Sequence, residues 1–240
     1  MTKGLVVAID GTAGSGKSTT AKKAAESLGF FYLDTGAMYR AITWKIINAK
    51  IDLCDTNSIK KLVAQTKIDI TKDNQIMLDN KDMAEEIRKP EIDKLVSQVS
   101  VLPIIRQKMV SEQHRIAKGR NVICEGRDIG SVVFPNANLK IYLDCDLEER
   151  TTRREKELKE KGIKVTRKAI KENFLERDYI DSTREHSPLR KTDDAVFLDT
   201  TNLTIEEEVK IVTDMISDRL LNKIDANPTA ENLTTAEERL

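Results

Sequence analysis

The run Gly11-Thr12-Ala13-Gly14-Ser15-Gly16-Lys17-Ser18 is the stretch whose chemistry is easiest to name. It fills every fixed position of the pattern G-x-x-x-x-G-K-[ST]. Its glycines let backbone N–H groups turn inward around phosphate oxygens. A helix N-terminus directly behind them adds partial positive charge. In that arrangement Lys17 reaches the β- and γ-phosphates of a nucleoside triphosphate. The Ser18 hydroxyl, with Thr19 beside it, stands where Mg2+ is ligated. The flanks fit as well. Leu5, Val6, Val7, Ala8 and Ile9 read as a buried strand, and Thr19 to Leu28, rich in Ala, Lys and Glu, reads as a helix. An ordinary glycine turn before a helix would need neither the pattern nor this context. The spacing is not G-x-G-x-x-G, so a dinucleotide fold is the poorer reading.

A second set of residues lies at the ends of other apolar runs. Asp10-Gly11, Asp34-Thr35 and Glu125-Gly126-Arg127-Asp128 each close such a run. In an open parallel sheet, ligands sit beyond the C-terminal ends of the strands. An acid such as Glu125 can hold Mg2+ or its water there, the plain alternative being a helix cap or loop salt bridge. Arg40, Arg127, Arg153, Arg154, Arg177 and Arg184 fall near strand ends or on a charged helical pair. A transferring phosphoryl group spreads charge over its equatorial oxygens, so catalysis is positioning plus cationic clamping. An acceptor that is already a phosphate oxyanion requires no general base. For Arg153 and Arg154 a solvated helix face is the competing reading.

The elements that must position these groups can be read in order. Phe30 to Leu33 is a second short strand, and Thr35 is placed to cap the helix carrying Met38, Ile42, Ile46 and Ile47. A helical stretch follows from about Thr56 to Thr66. Ile68, Ile70, Ile76 and Leu78 then alternate with polar residues around Lys72-Asp73-Asn74, which predicts an antiparallel hairpin inserted outside the main sheet. Ser97-Gln98-Val99 is helical, and Pro103 opens a helix through Lys118. Val122 to Cys124 and Leu139 to Leu143 read as strands. Charged helices are expected from Leu147 to Lys161, ended by Gly162, and from Arg167 to Thr183. Ala195 to Leu198 is a last strand, and Leu203-Thr204 opens a final helix to about Leu221. Residues 222–240 are polar and poor in aromatics, and read as a disordered tail.

Composition bounds the class. The 240 residues suffice for one sizeable α/β domain with small insertions, and 40 Lys plus Arg balance 40 Asp plus Glu. That balance argues against a nucleic-acid or membrane footprint over the whole surface. The core strand starts within a few residues of Met1, leaving no room for a signal peptide, and no run reaches the ~20 apolar residues of a membrane span. Cys54, Cys124 and Cys145 show no C-x-x-C spacing, so free thiols are the default. A cytoplasmic monomer is expected, with neither nucleic acid nor membrane as partner.

Several motifs together resemble the bacterial cytidylate kinases, nucleoside monophosphate kinases of the P-loop class. They are Gly11–Ser18, Leu33-Asp34-Thr35-Gly36-Ala37-Met38-Tyr39-Arg40, Ser97-Gln98-Val99, Glu125-Gly126-Arg127-Asp128-Ile129-Gly130-Ser131-Val132-Val133-Phe134-Pro135 and Glu176-Arg177-Asp178. The likeness covers roughly residues 3–221 in order. It implies an α/β fold with a five-stranded parallel sheet, a P-loop kinase core with helices on both faces, a small antiparallel NMP-binding insertion and a helical lid. Residues 1–66, 100–148 and 185–221 would form the core, 67–99 the insertion and 149–184 the lid, with 222–240 a tail outside the likeness. It implies transfer of the ATP γ-phosphoryl group to CMP or dCMP, with Mg2+. ATP would be held by Gly11, Thr12, Ala13, Gly14, Ser15, Gly16, Lys17, Ser18 and Thr19. The likeness places Thr35, Ser97, Arg106 and Asp128 around the cytosine, Arg40, Arg127 and Arg184 on the acceptor phosphate, and Arg177 and Asp181 near the ribose. Arg153 and Arg154 would belong to the lid, and Lys17, Arg127, Arg153, Arg154 and Arg184 would carry catalysis. Ser18 would ligate the metal, and Glu125 would hold it through its water. Ser131 stands where Thr is frequent in the family, and Thr35 where Ser is common; both keep a hydroxyl.

The choice of base also follows from hydrogen-bonding chemistry. Cytosine offers an N4 donor beside N3 and O2 acceptors. An ionised Asp128 accepts from N4, and Arg106 donates to N3 or O2; uracil would set acceptor against acceptor and donor against donor. Competing readings are a kinase for another small acceptor such as UMP, a GTP-binding switch and a nucleic-acid module. The switch reading draws on Asn222-Lys223-Ile224-Asp225, which spells N-K-x-D but trails a terminal helix instead of following a core strand. Zero net charge and few aromatics leave the nucleic-acid reading little support.

Overall fold

The computed structural model describes residues 4–225, with side chains as far as Arg219. Five parallel strands make the main sheet: β1 (Val6–Gly11), β2 (Phe31–Asp34), β6 (Val122–Gly126), β7 (Leu139–Asp144) and β8 (Val196–Asp199), in the order β2-β6-β1-β7-β8. The period-2 alternation of β1 explains the two layers around it. Val7 and Ile9 face α1 (Lys17–Leu28) and α8 (Ile205–Asp225) through Ala21, Ala24, Ala25, Val212 and Ile216. Ala8 faces the opposite layer, where Met38, Ile42 and Ile46 of α2 (Thr35–Asn48) meet Ile105 and Met109 of α5 (Pro103–Ala117). The central strand therefore delivers its glycine loop to the middle of the sheet's C-terminal edge, the place where such sheets bind ligands.

The same apolar cluster takes in the insertion. A three-stranded antiparallel sheet, β3 (Ile68–Ile70), β4 (Ile76–Leu78) and β5 (Lys81–Asp82), buries Ile68, Ile70, Ile76 and Leu78 against α2 and α5. The hairpin expected from the sequence is there, but β5 is additional. Its turn is Asp79-Asn80, both at positive φ (50° and 68°), the geometry that joins two antiparallel strands through two residues. Helix α3 (Thr56–Ala64) precedes this sheet, and α4 (Pro90–Ser100) follows it. Helices α6 (Leu147–Glu160) and α7 (Arg167–Thr183) form a pair packed through Leu147, Leu158, Ile170 and Phe174.

Two expectations change. Thr35 does not cap α2; Asp34 does, its carboxylate accepting from Ala37 N at 2.8 Å. A carboxylate one residue earlier reaches the free N–H groups of the first turn, and the Thr35 hydroxyl is left for another partner. Helix α8 continues to Asp225, so Asn222-Lys223-Ile224-Asp225 is the end of a helix rather than the start of a tail. The remainder of the expected tail, 226–240, lies outside the described residues. No helix among the described residues is long and apolar enough to cross a membrane.

Candidate active site

The wall assigned to the donor is the loop between β1 and α1. A Cβ at Gly11 would lie 1.8 Å from Leu143 O, so only glycine lets β1 approach β7 there. Gly16 precedes α1, which has neither a side-chain cap nor an acid in its first turn. The helix thus presents bare N–H groups to an anion. Lys17 is 4% exposed and folds back onto its own loop, donating to Thr12 O and, at 3.1 Å, to Ser15 Oγ. Burial, with Arg127 nearby, pushes its ammonium down to about 7. Ser18 and Thr19 are exposed at the start of the helix. Ser18 Oγ donates to Glu125 Oε1 at 2.6 Å, and Tyr32 OH donates to the same oxygen at 3.0 Å. A hydroxyl and a carboxylate side by side are hard oxygen donors. They suit Mg2+, which takes one or two protein oxygens and completes its shell with water and phosphate.

The opposite wall encloses a cavity of about 280 Å3 that begins at Ser18 and Glu125. Eight of the residues assigned to the acceptor line it: Thr35, Arg40, Ser97, Arg127, Asp128, Arg177, Asp181 and Arg184. The ninth, Arg106, lies behind Asp128 and is 5% exposed. Arg106 Nη2 donates to Asp128 Oδ2, and Arg184 Nη2 donates to Asp128 Oδ1 at 3.3 Å. The turn carrying Asp128 is held from β1: Asp10 accepts from Ile129 N at 2.8 Å and Gly130 N at 2.7 Å. Burial pushes the Asp10 carboxyl up to about 6 despite those two bonds. Thr35 Oγ1 donates to Glu125 O at 2.7 Å, tying the start of α2 to β6. Arg127 Nε donates to Asp181 Oδ2 at 2.7 Å. Arg177 is half-buried among like charges; desolvation first, then Arg127 and Arg40, push it down to about 10, and its buried Nε has no partner among the described residues. A set of crowded, partly unsatisfied guanidinium groups is an anion site.

The two arginines expected on the lid stand apart from this cavity. Arg153 donates to Glu208 Oε1 at 3.1 Å, Thr200 O at 2.7 Å and Leu203 O at 3.1 Å, fastening α6 to the start of α8. Arg154 pairs with Glu157 at 2.7 Å on the surface of its own helix. The arginine of α6 that reaches the loop is Arg150, to which the sequence reading gave no role. Its Nη1 donates to Ala13 O at 2.8 Å and Asp178 Oδ2 at 2.6 Å, while Asp178 Oδ1 accepts from Ala13 N at 2.8 Å. Phe174 lies over Gly14, where a Cβ would come within 2.7 Å of its ring; φ of +76° there also requires glycine. The signal for Arg150 was available: with Thr151 and Leu147 it marks the inward face of an otherwise charged helix.

The comparison that decides the family covers both walls. The family model described as cytidylate kinase matches residues 7–218. The chain belongs to the cytidylate kinase family. The cytidylate kinase of Caldanaerobacter subterraneus subsp. tengcongensis is 49% identical over 88% of this chain and 93% of its own. That of Fusobacterium nucleatum subsp. nucleatum is 45% identical over 88% of this chain and 97% of its own. That of Alkaliphilus oremlandii is 46% identical over 88% of this chain and 96% of its own. The glycine loop, the acids at the strand ends and every arginine around the cavity fall inside the span matched by the cytidylate kinase model.

Proposed function

We propose that this protein transfers the γ-phosphoryl group of ATP to CMP or dCMP, giving ADP and CDP or dCDP. The observation that carries this reading is the Asp128 carboxylate, bracketed by Arg106 and Arg184, in the cavity that Ser18 at the end of the glycine loop also lines. A carboxylate accepts from cytosine N4, and Arg106 behind it donates to N3 or O2. Arg40, Arg127 and Arg184 hold the acceptor phosphate, and Arg177 with Asp181 faces the ribose. A phosphate oxygen of CMP attacks the γ-phosphorus in line with the departing ADP oxygen. The bond from the γ-phosphorus to that oxygen breaks, and its electron pair leaves with ADP. Lys17 and the loop N–H groups take up the charge on the donor side; Arg127 and Arg184 take it up on the acceptor side. Mg2+ bound with the triphosphate would neutralise its β- and γ-oxygens, with Ser18, and Glu125 through water, as the residues to hold it. Arg154 breaks only one surface pair to swing inward, so it is the lid arginine best placed to join the triphosphate. Arg153, tied to α8, holds the base of the lid. Substrates of this kind belong to the cytoplasm.

The direct test measures ADP release with CMP, dCMP, UMP and AMP in parallel. CMP and dCMP are expected to lead UMP by roughly a hundred-fold or better in kcat/KM, since two mismatched buried groups cost about 1–3 kcal/mol each. Equal rates with UMP or AMP would overturn the cytosine assignment.

The state of Lys17 gives a second expectation. Its ammonium releases a proton near pH 7 in the free protein, and an adjoining triphosphate restores the charged form. At pH 8 ATP binding is therefore expected to take up close to one proton at Lys17, and at pH 6 almost none. Calorimetric titration in two buffers of different ionisation enthalpy reads this directly. Lys17→Arg, cationic at every pH, is expected to remove the uptake. An uptake that persists in that variant would assign the proton elsewhere.

A further inference from the structure

We propose that Asp93 is a brake on the acceptor half of the site: in the free enzyme its carboxylate occupies Arg40, and an incoming acceptor phosphate must displace it. Arg40 projects from α2 into the cavity. Asp93 sits in the first turn of α4, on the other side of the cavity mouth, and its Oδ1 accepts from Arg40 Nη1. The two side chains are 24% and 33% exposed, so the pair is at the rim and open to a ligand arriving from solvent. Asp93 also contributes charge at Arg177, the cavity arginine whose Nε has no partner. Of the four acids that line the cavity, Asp34 caps α2, Glu125 accepts from Ser18, and Asp128 and Asp181 belong to the base and ribose assignments. Asp93 has no such assignment, and its hydrogen bond to the site is to the Arg40 guanidinium.

This inference rests on the reading of Arg40 as a ligand of the acceptor phosphate. A carboxylate and a phosphate dianion have the same sign and compete for the same donor atoms. The acceptor therefore binds at the expense of the Asp93 pair. After transfer the carboxylate returns to Arg40 and assists departure of the diphosphate product. Only an acceptor bearing a phosphate releases the pair, so a bare nucleoside leaves the mouth of the cavity latched between α2 and α4.

The simpler account of Asp93 is an acid stabilising the N-terminus of α4. Glu91 shares that first turn, is exposed and does not touch Arg40, so it provides the control. Steady-state kinetics of the full chain as Asp93→Asn are expected to show a KM for CMP about two- to five-fold lower, the equivalent of an exposed ion pair, with the KM for ATP unchanged. Glu91→Gln is expected to leave both KM values unchanged, whatever either variant does to Tm. A KM for CMP that is unchanged or higher in Asp93→Asn, or a fall of the same size in Glu91→Gln, overturns the brake. Arg40→Ala, measured alongside, is expected to raise the KM for CMP. If it does and Asp93→Asn has no effect, the brake alone fails. An unchanged KM for CMP in Arg40→Ala overturns the role of Arg40 and the brake together.

Discussion

Asp128→Asn is expected to lower kcat/KM for CMP about a hundred-fold and to shrink the preference for CMP over UMP by a similar factor. Two effects combine. The amide offers cytosine N4 one acceptor oxygen in place of a charged carboxylate, and its NH2 group can be turned toward uracil O4, which the carboxylate repels. A charge-assisted hydrogen bond lost at a buried site is worth about 1.5–3 kcal/mol, or roughly ten- to two-hundred-fold. The substitution also leaves Arg106 and Arg184 facing a neutral group. Both are buried, and removing one partner of a buried ion pair costs about 3–5 kcal/mol of stability, so Tm is expected to fall as well. The change in the CMP-to-UMP ratio separates base reading from loss of folded protein, because a smaller folded fraction scales both substrates equally. A preserved ratio would remove Asp128 from base recognition.

Lys17→Met is expected to give the opposite combination: activity nearly lost and stability kept or raised. Deleting one preorganised cationic or hydrogen-bonding group at the transferring phosphoryl costs on the order of a hundred- to a thousand-fold in kcat. The folded protein, however, holds this ammonium buried on its own loop. Its pKa is lowered from 10.5 to about 7, so between those values the unfolded chain binds a proton that the folded chain has released. Stability therefore rises with pH through that window, and the burial penalty is fully present below about pH 7. Lys17→Met escapes the penalty. Its advantage in Tm is expected at pH 6 and should fade as pH rises toward 10. A lower Tm at pH 6 would mean that the bonds to Thr12 and Ser15 outweigh burial, and undiminished turnover would make the loop lysine dispensable.

These two residues also mark what a sequence reader can and cannot see. Lys17 is legible because everything that defines it is contiguous: an apolar strand, a glycine loop and a helix. The parallel sheet was legible for the same reason, from short β-branched runs separated by helices. Asp128 is different. Its chemistry depends on Arg106, 22 residues before it, and Arg184, 56 residues after it; the family resemblance set Arg106 beside Asp128 at the base but put Arg184 on the phosphate, and neither ion pair was foreseen. Asp10 was visible only as the end of a strand. That its carboxylate anchors the turn behind Asp128 is a contact across 119 residues, and strand periodicity has no means of encoding it. Arg150, Arg153 and Arg154 crowd into five residues of one helix; Leu147 and Thr151 mark the face of Arg150 as inward, but no local pattern names the glycine loop as its partner or α8 as that of Arg153. The short strand β5 was missed because two residues are too few to show alternation; the Asp79-Asn80 turn was its only sign.

Helix α7 touches both the glycine loop and the cavity within little more than two turns. Phe174 and Asp178 engage Gly14 and Ala13 of the loop, whereas Arg177 and Asp181 face the cavity, with Asp181 bonded to Arg127. A rigid helix cannot adjust one row of these contacts and leave the other in place. Filling the loop and filling the cavity therefore bear on one another's free energy through a shared body, and reciprocity requires the size of that influence to be the same in either direction. In an enzyme that must not hand its phosphoryl group to water, such coupling makes the arrival of the second nucleotide the event that completes the site.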